Sequence, residues 1–288
     1  MRVAVLGATG FIGRAIVPVL ESVADVVAVS RSGPVPADMT NAADVRRVLE
    51  GVDVVYYLVH SLGAGDFTSL DRQAAEAVAR EAARAGAQQI VYLGGLGDDA
   101  PDLSPHLRSR AETARVLAAG DVPVTSLRAA VVVGRGSAGF ETIVALVDRL
   151  PLMIAPKWVS MPTQPIALAD VVGYLVDVAG HEGGIGETFD IGGPDVLTYR
   201  DMIERVARLR GRRTRIVEVP VLSPRLSSYW LHLVTPVRAS VSRPLVEGLR
   251  NPTVARDERI RQLLPRDLIP FDQAAGEAMR APNGESVP

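Results

Sequence analysis

The chain has 288 residues, 48% hydrophobic and 22% charged, enough to bury the core of one large α/β domain or of a nucleotide-binding domain with a smaller companion. It has no cysteine, which excludes disulfides, thiolate nucleophiles, iron–sulfur clusters and thiolate zinc sites. The net charge of −2 is unevenly spread: residues 200–261 hold 14 Arg against 6 acidic groups, and Lys157 is the sole lysine.

The first segment, MRVAVLGATGFIG, carries one charge and then an apolar run that meets glycine at once. It reads as a first strand followed by a turn rather than as an export signal. No window reaches 18 uncharged apolar residues, so the expected location is the cytoplasm. Strand, glycine turn and helix (11–23) are followed by strand-like runs at 25–30, 52–59, 90–95 and 122–134, mostly separated by Ala-rich helical stretches. Continuous apolar strands alternating with helices predict a doubly wound parallel sheet of the Rossmann type. A helix over 66–86 shows an Ala-rich face and an Arg/Glu face and is capped by Gly86. Another over 105–119 has Ser104 as N-cap and Pro105 at its first position. Beyond Gly134 the rhythm loosens. A helix at 168–180, a strand at 188–193, a Thr198/Asp201 capping box opening a helix to about 210, a strand at 214–220 and two apolar-striped helical stretches in 224–250 are expected, with fraying from about 281. The division predicted is a Rossmann domain over 1–134, to which 163–193 returns, and a smaller C-terminal α/β section over 135–288 that closes over the reacting ring of a cofactor.

The strongest chemical signal is Gly7-Ala-Thr9-Gly10-Phe11-Ile12-Gly13, directly after the first strand. Gly7 permits the turn, Gly10 lets backbone N–H groups approach a pyrophosphate, and Gly13 lets helix and sheet pack closely. The amides of residues 9–13 and the helix N-terminus would then hold the phosphates. A plain strand-to-helix turn also needs glycine, but the repeated strand–helix context favours a dinucleotide. At the end of the second strand Ser30-Arg31-Ser32 offers two hydroxyls and a guanidinium where a carboxylate would select an unphosphorylated ribose. That favours NADP(H) over NAD(H).

Spacing and strand series, with VVYYLVHSLG at 54–63, IVYLGGLGDD at 90–99, LSPHLRSRAE at 103–112, QPIALADV at 164–171, DIGGPDVLTYRDM at 190–202 and PRLSSYWLHLVTPV at 224–237, resemble the short-chain dehydrogenase/reductase superfamily. More narrowly, the chain resembles the atypical members, a bacterial NAD(P)-binding subgroup to which the NmrA-like redox sensors are more distantly related. The resemblance runs over nearly the whole chain. It implies that Asp38 and Met39 lie beside the adenine, that Leu58, Val59 and His60 end a strand near the riboses, and that Gly94 and Gly95 lie near the nicotinamide. His60 also has a plain structural reading.

The superfamily's usual Ser and Tyr-x-x-x-Lys are absent: no tyrosine has a lysine four residues on, and Gly94 or Gly95 occupies the serine position. At the helix position stand His106 and Arg110, four residues apart and on one face with Thr113 and Leu117. His106 is the candidate proton donor, with a pKa expected near neutrality, and Arg110 the candidate holder of the nicotinamide ribose. Two helix-start residues contacting nearby loops is the alternative. Arg128, within an apolar strand, is expected to form a structural ion pair. Four histidines without metal-binding spacing predict no metal site. The cluster Arg205, Arg208, Arg210, Arg212, Arg213 and Arg215, with Leu226, Tyr229, Trp230, Leu233 and Val237 beyond it, invites an anionic membrane surface, although a solvated basic end is the plainer reading. No nucleic-acid motif is present, and the sequence names neither substrate nor redox partner. The expected function is an NADP(H)-dependent oxidoreductase passing hydride to a small or quinone-like apolar substrate. Its rival is a non-catalytic dinucleotide sensor or assembly protein.

Overall fold

Strand β1 (Arg2–Leu6) sends Val3 and Val5 to one buried face and Ala4 and Leu6 to the other, as a strand covered on both sides must. In this computed structural model, residues 1–61, 66–97, 104–219 and 251–280 are described, the side chains of residues 157 and 158 excepted. After β1 come α1 (Phe11–Leu20), β2 (Asp25–Ser30), β3 (Val35–Pro36), α2 (Ala42–Leu49), β4 (Val54–Tyr57), α3 (Phe67–Ala85), β5 (Gln89–Gly95), α4 (Pro105–Ala118) and β6 (Val124–Ala129). The central sheet has seven strands in the order β11-β6-β5-β4-β1-β2-β3, where β11 (Thr188–Ile191) returns late in the chain to pair with β6. Every pairing in this sheet is parallel. The order reverses between β1 and β4, so a crevice opens beyond the carboxyl ends of those two strands.

Helices α2, α3 and α4 cover one face over a core that includes Leu6, Val55, Tyr57, Ala75, Val78 and Leu117. The opposite face is covered by α1 and α6 (Leu168–Asp177), with Ile16, Tyr56, Val171 and Leu175 in its core. Helix α3 is wedged between α2 and α4, and its Arg72, Glu76, Arg80 and Arg84 remain exposed. Asp71 and Glu81 are both buried, the latter met by Arg46 at 2.9 Å and Arg84 at 2.6 Å.

The caps follow the sequence. Gly86 ends α3 in the left-handed conformation, the Ser104 hydroxyl accepts the Leu107 N–H at 3.3 Å, and Thr198 and Asp201 form a reciprocal capping box at the start of α7 (Tyr199–Leu209). The single strand expected at 122–134 is two. β6 stops at Ala129, and β7 (Val132–Val133) leaves the main sheet to pair with β10 (Ile166–Ala167). A helix that the sequence pattern did not reveal, α5 (Ala138–Arg149), packs on α7. It leads to β8 (Leu152–Pro156), which pairs in parallel with β13 (Arg215–Val219). The short β9 (Pro162–Thr163) and β12 (Leu197–Thr198) pair antiparallel. Two further helices, α8 (Arg259–Leu263) and α9 (Phe271–Met279), complete the described chain. The helical stretches expected in 224–250, with Leu226, Tyr229, Trp230, Leu233 and Val237, and the fraying after 281 lie outside the described residues.

Candidate functional site

The glycine turn sits at the sheet's reversal point and each glycine has a steric reason to be one. Gly7 has φ +96°, and a Cβ there would lie 2.8 Å from the carbonyl oxygen of Leu58. A Cβ on Gly13 would strike the Gly7 carbonyl oxygen and come within 2.7 Å of Ala8 Cα. Gly10 caps α1 with its N–H on the Gly7 carbonyl at 2.9 Å. Helix α1 has no side-chain cap and no acidic residue in its first turn. Its leading amides, lacking intrahelical acceptors, and its positive dipole end are therefore available to an anion. Thr9 and Gly10 are exposed, Phe11 and Ile12 half-buried.

At the end of β2, the buried Ser30 hydroxyl has no hydrogen-bond partner, and a Cβ on Gly33 would collide with it. Arg31 and Ser32 follow, both exposed. Asp38 is exposed, but its carboxylate is engaged by the Thr40 N–H at 2.9 Å and hydroxyl at 2.8 Å; Met39 is buried. Leu58 donates its N–H to Leu6 at 2.9 Å, which brings Leu58, Val59 and His60 out beside the glycine turn. Gly94 and Gly95 end β5 opposite Arg128 and Ala129 of β6. An orphaned buried hydroxyl, a cradle that a Cβ would fill and an uncapped helix start together fit the phosphates and ribose of a dinucleotide.

The two histidines singled out from sequence, 46 residues apart, meet: His60 Nε2 lies 3.1 Å from His106 Nδ1. His60 Nδ1 lies 2.7 Å from Asp71 Oδ2, an α3 carboxylate that also accepts the Ser61 N–H at 2.7 Å and the Ser109 hydroxyl at 3.1 Å. Burial would raise the Asp71 carboxyl, yet its bonds to His60 and Ser61 hold it below the ordinary value. Burial lowers His60 despite Asp71, with the Arg110 charge acting the same way. For His106, burial first, then the charges of Arg110 and His60, push the pKa down to about 3. Its place in the first turn of α4 adds in the same direction. The near-neutral value expected from sequence is therefore corrected: His106 is an uncharged imidazole at neutral pH. Arg110 lies over the Tyr92 ring, 5.5 Å from its centroid, and donates to the Leu93 carbonyl, while Tyr92 donates its hydroxyl to the Arg110 carbonyl at 3.1 Å. Tyr57, edge-on to Tyr92, has its phenol raised by burial and stays protonated.

Residues 7–145 match the family described as NAD(P)H-binding. Solved structures are similar to this chain over most of its length. The Citrobacter sp. triphenylmethane reductase solved with NADP(H) is 15% identical, with TM-score 0.77 over 96% of this chain and 100% of that one. A Staphylococcus aureus nucleoside-diphosphate-sugar epimerase is 14% identical, with TM-score 0.76 over 96% and 100%. An epimerase from Methanothermobacter thermautotrophicus is 15% identical, with TM-score 0.74 over 96% and 90%. At these identities the likeness shows the shared Rossmann-type fold. No curated protein matches the chain.

Within residues 7–145 the sequence reading missed Asp71 and Ser109, the two helix side chains that organise the histidines. Asp71 is buried where α3 packs against α4. Arg128 does form an ion pair, at 2.7 Å with the buried Asp190, which also accepts the Arg256 N–H at 2.9 Å. The C-terminal arginines are substantially paired: Arg210 with Asp148 at 2.8 Å, Arg205 with Asp195 at 3.5 Å and Asp272 at 3.6 Å. Among the described residues no cluster suits a metal ion, and no helix is long and apolar enough to cross a membrane. An apolar cavity of about 520 Å³ between α1, α6 and α9 is lined by Val19, Val133, Val172 and Ile269 and includes none of the residues above.

Proposed function

We propose that the chain is an NADP(H)-linked oxidoreductase that exchanges hydride with a small apolar or quinone-like substrate beyond the carboxyl ends of β4 and β5. The observation that carries the reading is the convergence of the His60–His106 pair with the glycine turn at one end of one sheet: Leu58, two residues before His60, touches Gly7. In this reading the amides of residues 9–13 hold the pyrophosphate. Ser30, Arg31 and Ser32 take the 2′-phosphate, and Asp38 and Met39 border the adenine. Leu58, Val59 and His60 line the riboses, and Gly94 and Gly95 leave room for the nicotinamide. Arg110 anchors the nicotinamide-ribose side and His106 is the proton-exchanging group. The coenzyme, when bound, supplies or accepts the hydride. NADP(H) is favoured by Arg31, exposed beside the unpartnered Ser30 hydroxyl, and by NADP(H) in the Citrobacter reductase structure.

Titration of the protein with NADPH and NADH, read by thermal shift, tests the binding half. NADPH should stabilise more, and Arg31→Ala should narrow the preference by about tenfold, as expected for losing a charged hydrogen bond. Carbonyl, enone and quinone panels with NADPH test the chemistry, and His106→Ala should depress turnover sharply. A second reading, a non-catalytic dinucleotide sensor, is favoured by the missing Ser and Tyr-Lys. It predicts stabilisation by NADPH with no turnover on any panel.

A further inference from the structure

The geometry points to a directed relay, Asp71–His60–His106, that fixes the tautomer of His106 and presents a bare lone pair on its Nε2, the atom that exchanges the hydroxyl proton of the substrate. The inference rests on the oxidoreductase reading above and names Asp71 and His60 as positioning residues for its proton-exchanging group.

A backbone N–H can only donate. The Ser61 N–H points at Asp71 Oδ1, and Ser109 donates to Oδ2, so Asp71 is an acceptor on both oxygens. An ionised carboxylate has nothing to donate, and the nitrogen 2.7 Å from Oδ2, His60 Nδ1, must carry the hydrogen. In an uncharged His60 the other nitrogen is then an acceptor. His106 Nδ1, 3.1 Å away, must supply the hydrogen between the rings. An uncharged His106 with its hydrogen on Nδ1 has its lone pair on Nε2, and no hydrogen bond reaches that atom among the described residues. The ring is half-buried rather than sealed.

The surroundings keep both rings uncharged at rest. Among the described residues Arg110 from α4 opposes a further positive charge, Asp71 from α3 is the one anion acting on the pair, and Tyr57 of β4 stays neutral. In turnover the alcohol's O–H proton passes to His106 Nε2, forming an imidazolium. The carbinol hydrogen leaves with its electron pair to the oxidised nicotinamide coenzyme, and C–O becomes C=O. The new positive charge is spread through His60 toward Asp71. Asp71 and His60 act through His106 and are positioning residues. Carbonyl reduction is the same path reversed, with His106 taking up a proton first and returning it to the substrate oxygen.

Long-range proton–nitrogen spectra of the full chain with labelled histidine, without coenzyme and assigned with His60→Gln and His106→Gln, read the tautomers directly. At pH 7 both rings should be neutral with hydrogen on Nδ1. Asp71→Asn preserves shape but offers an N–H to His60, so both rings should switch and place hydrogen on His106 Nε2. NADP⁺-dependent oxidation of a secondary-alcohol panel should then lose on the order of 10²–10⁴-fold in kcat with little change in KM, the size of effect that a wrong tautomer or a lost base produces. In the unaltered protein, alcohol oxidation should be nearly flat between about pH 6 and 8, while carbonyl reduction falls about tenfold per unit. A wild-type His106 that carries hydrogen on Nε2 or titrates in that range overturns the relay even if turnover is found. Turnover absent on every panel, with the tautomers as stated, refutes the oxidoreductase reading and the base role together.

Discussion

Replacing His106 with Gln should flatten the acid side of the protein's stability curve. In the folded state burial and the neighbouring charges hold this ring's pKa near 3, whereas an unfolded chain titrates it at its model value of 6.5. The unfolded state therefore binds the extra proton first as the pH falls. Stability that His106 leaves intact above pH 6.5 is lost progressively between 6.5 and about 3. At pH 5 the gap spans one and a half pH units at about 1.36 kcal/mol each, so about 2 kcal/mol is lost on this ring's account. For a chain of this size that is roughly 4–8 °C in Tm, on the scale of about 2–4 °C per kcal/mol. Denaturant titrations of the wild type and His106→Gln at pH 7.5 and 5.0 isolate the effect, because the remaining histidines and carboxylates are common to both proteins. The stability difference between the two should shift by about 2 kcal/mol across the two pH values. Parallel losses in both proteins would show that the ring is not held uncharged, and the account of its burial and of the Arg110 charge would fail with it.

Two further outcomes follow from the packing. Gly13→Ala drives a methyl into the Gly7 carbonyl and against Ala8 Cα, so it should cost about 1–3 kcal/mol. It should also abolish thermal stabilisation by NADPH; full stabilisation retained in the variant would dislodge the phosphates from this turn. Arg128→Ala strands the buried Asp190 carboxylate without its guanidinium and should cost about 3–5 kcal/mol, whereas truncating both partners should cost less than the single change. Additive losses in that double-mutant cycle would deny the pair.

Legibility of the chain divides along physical lines. Local rules carried well: Gly86 as a left-handed cap, Ser104 before Pro105, and the Thr198/Asp201 box all depend on a few adjacent residues. The glycine turn was readable because its three glycines answer to steric demands within one strand–turn–helix unit. What escaped depends on contacts between distant segments. Between 124 and 133 the run has no glycine or proline, and nothing in it announces that β7 will leave the sheet for β10. The β8/β13 pair joins residues some sixty positions apart, and the apolar Leu152 and Ile154 are exposed while Met153 between them is buried, so burial alternates where hydropathy does not. Most telling is Asp71. Beside Arg72 in an Ala-rich helix it reads as a solvated charge, and only the wedge of α3 between α2 and α4 turns it into the acceptor that orders both histidines. His106 and His60 were each picked out, but the second as a ribose neighbour; their meeting is a property of the tertiary structure alone.

The absence of a side chain at position 7 has a reach beyond the turn itself. Because a Cβ at position 7 would lie 2.8 Å from the Leu58 carbonyl oxygen, the turn and the strand end that leads to His60 sit too close to admit any side chain between them. Any substitution at Gly7 would therefore disturb the turn and the approach to His60 at once.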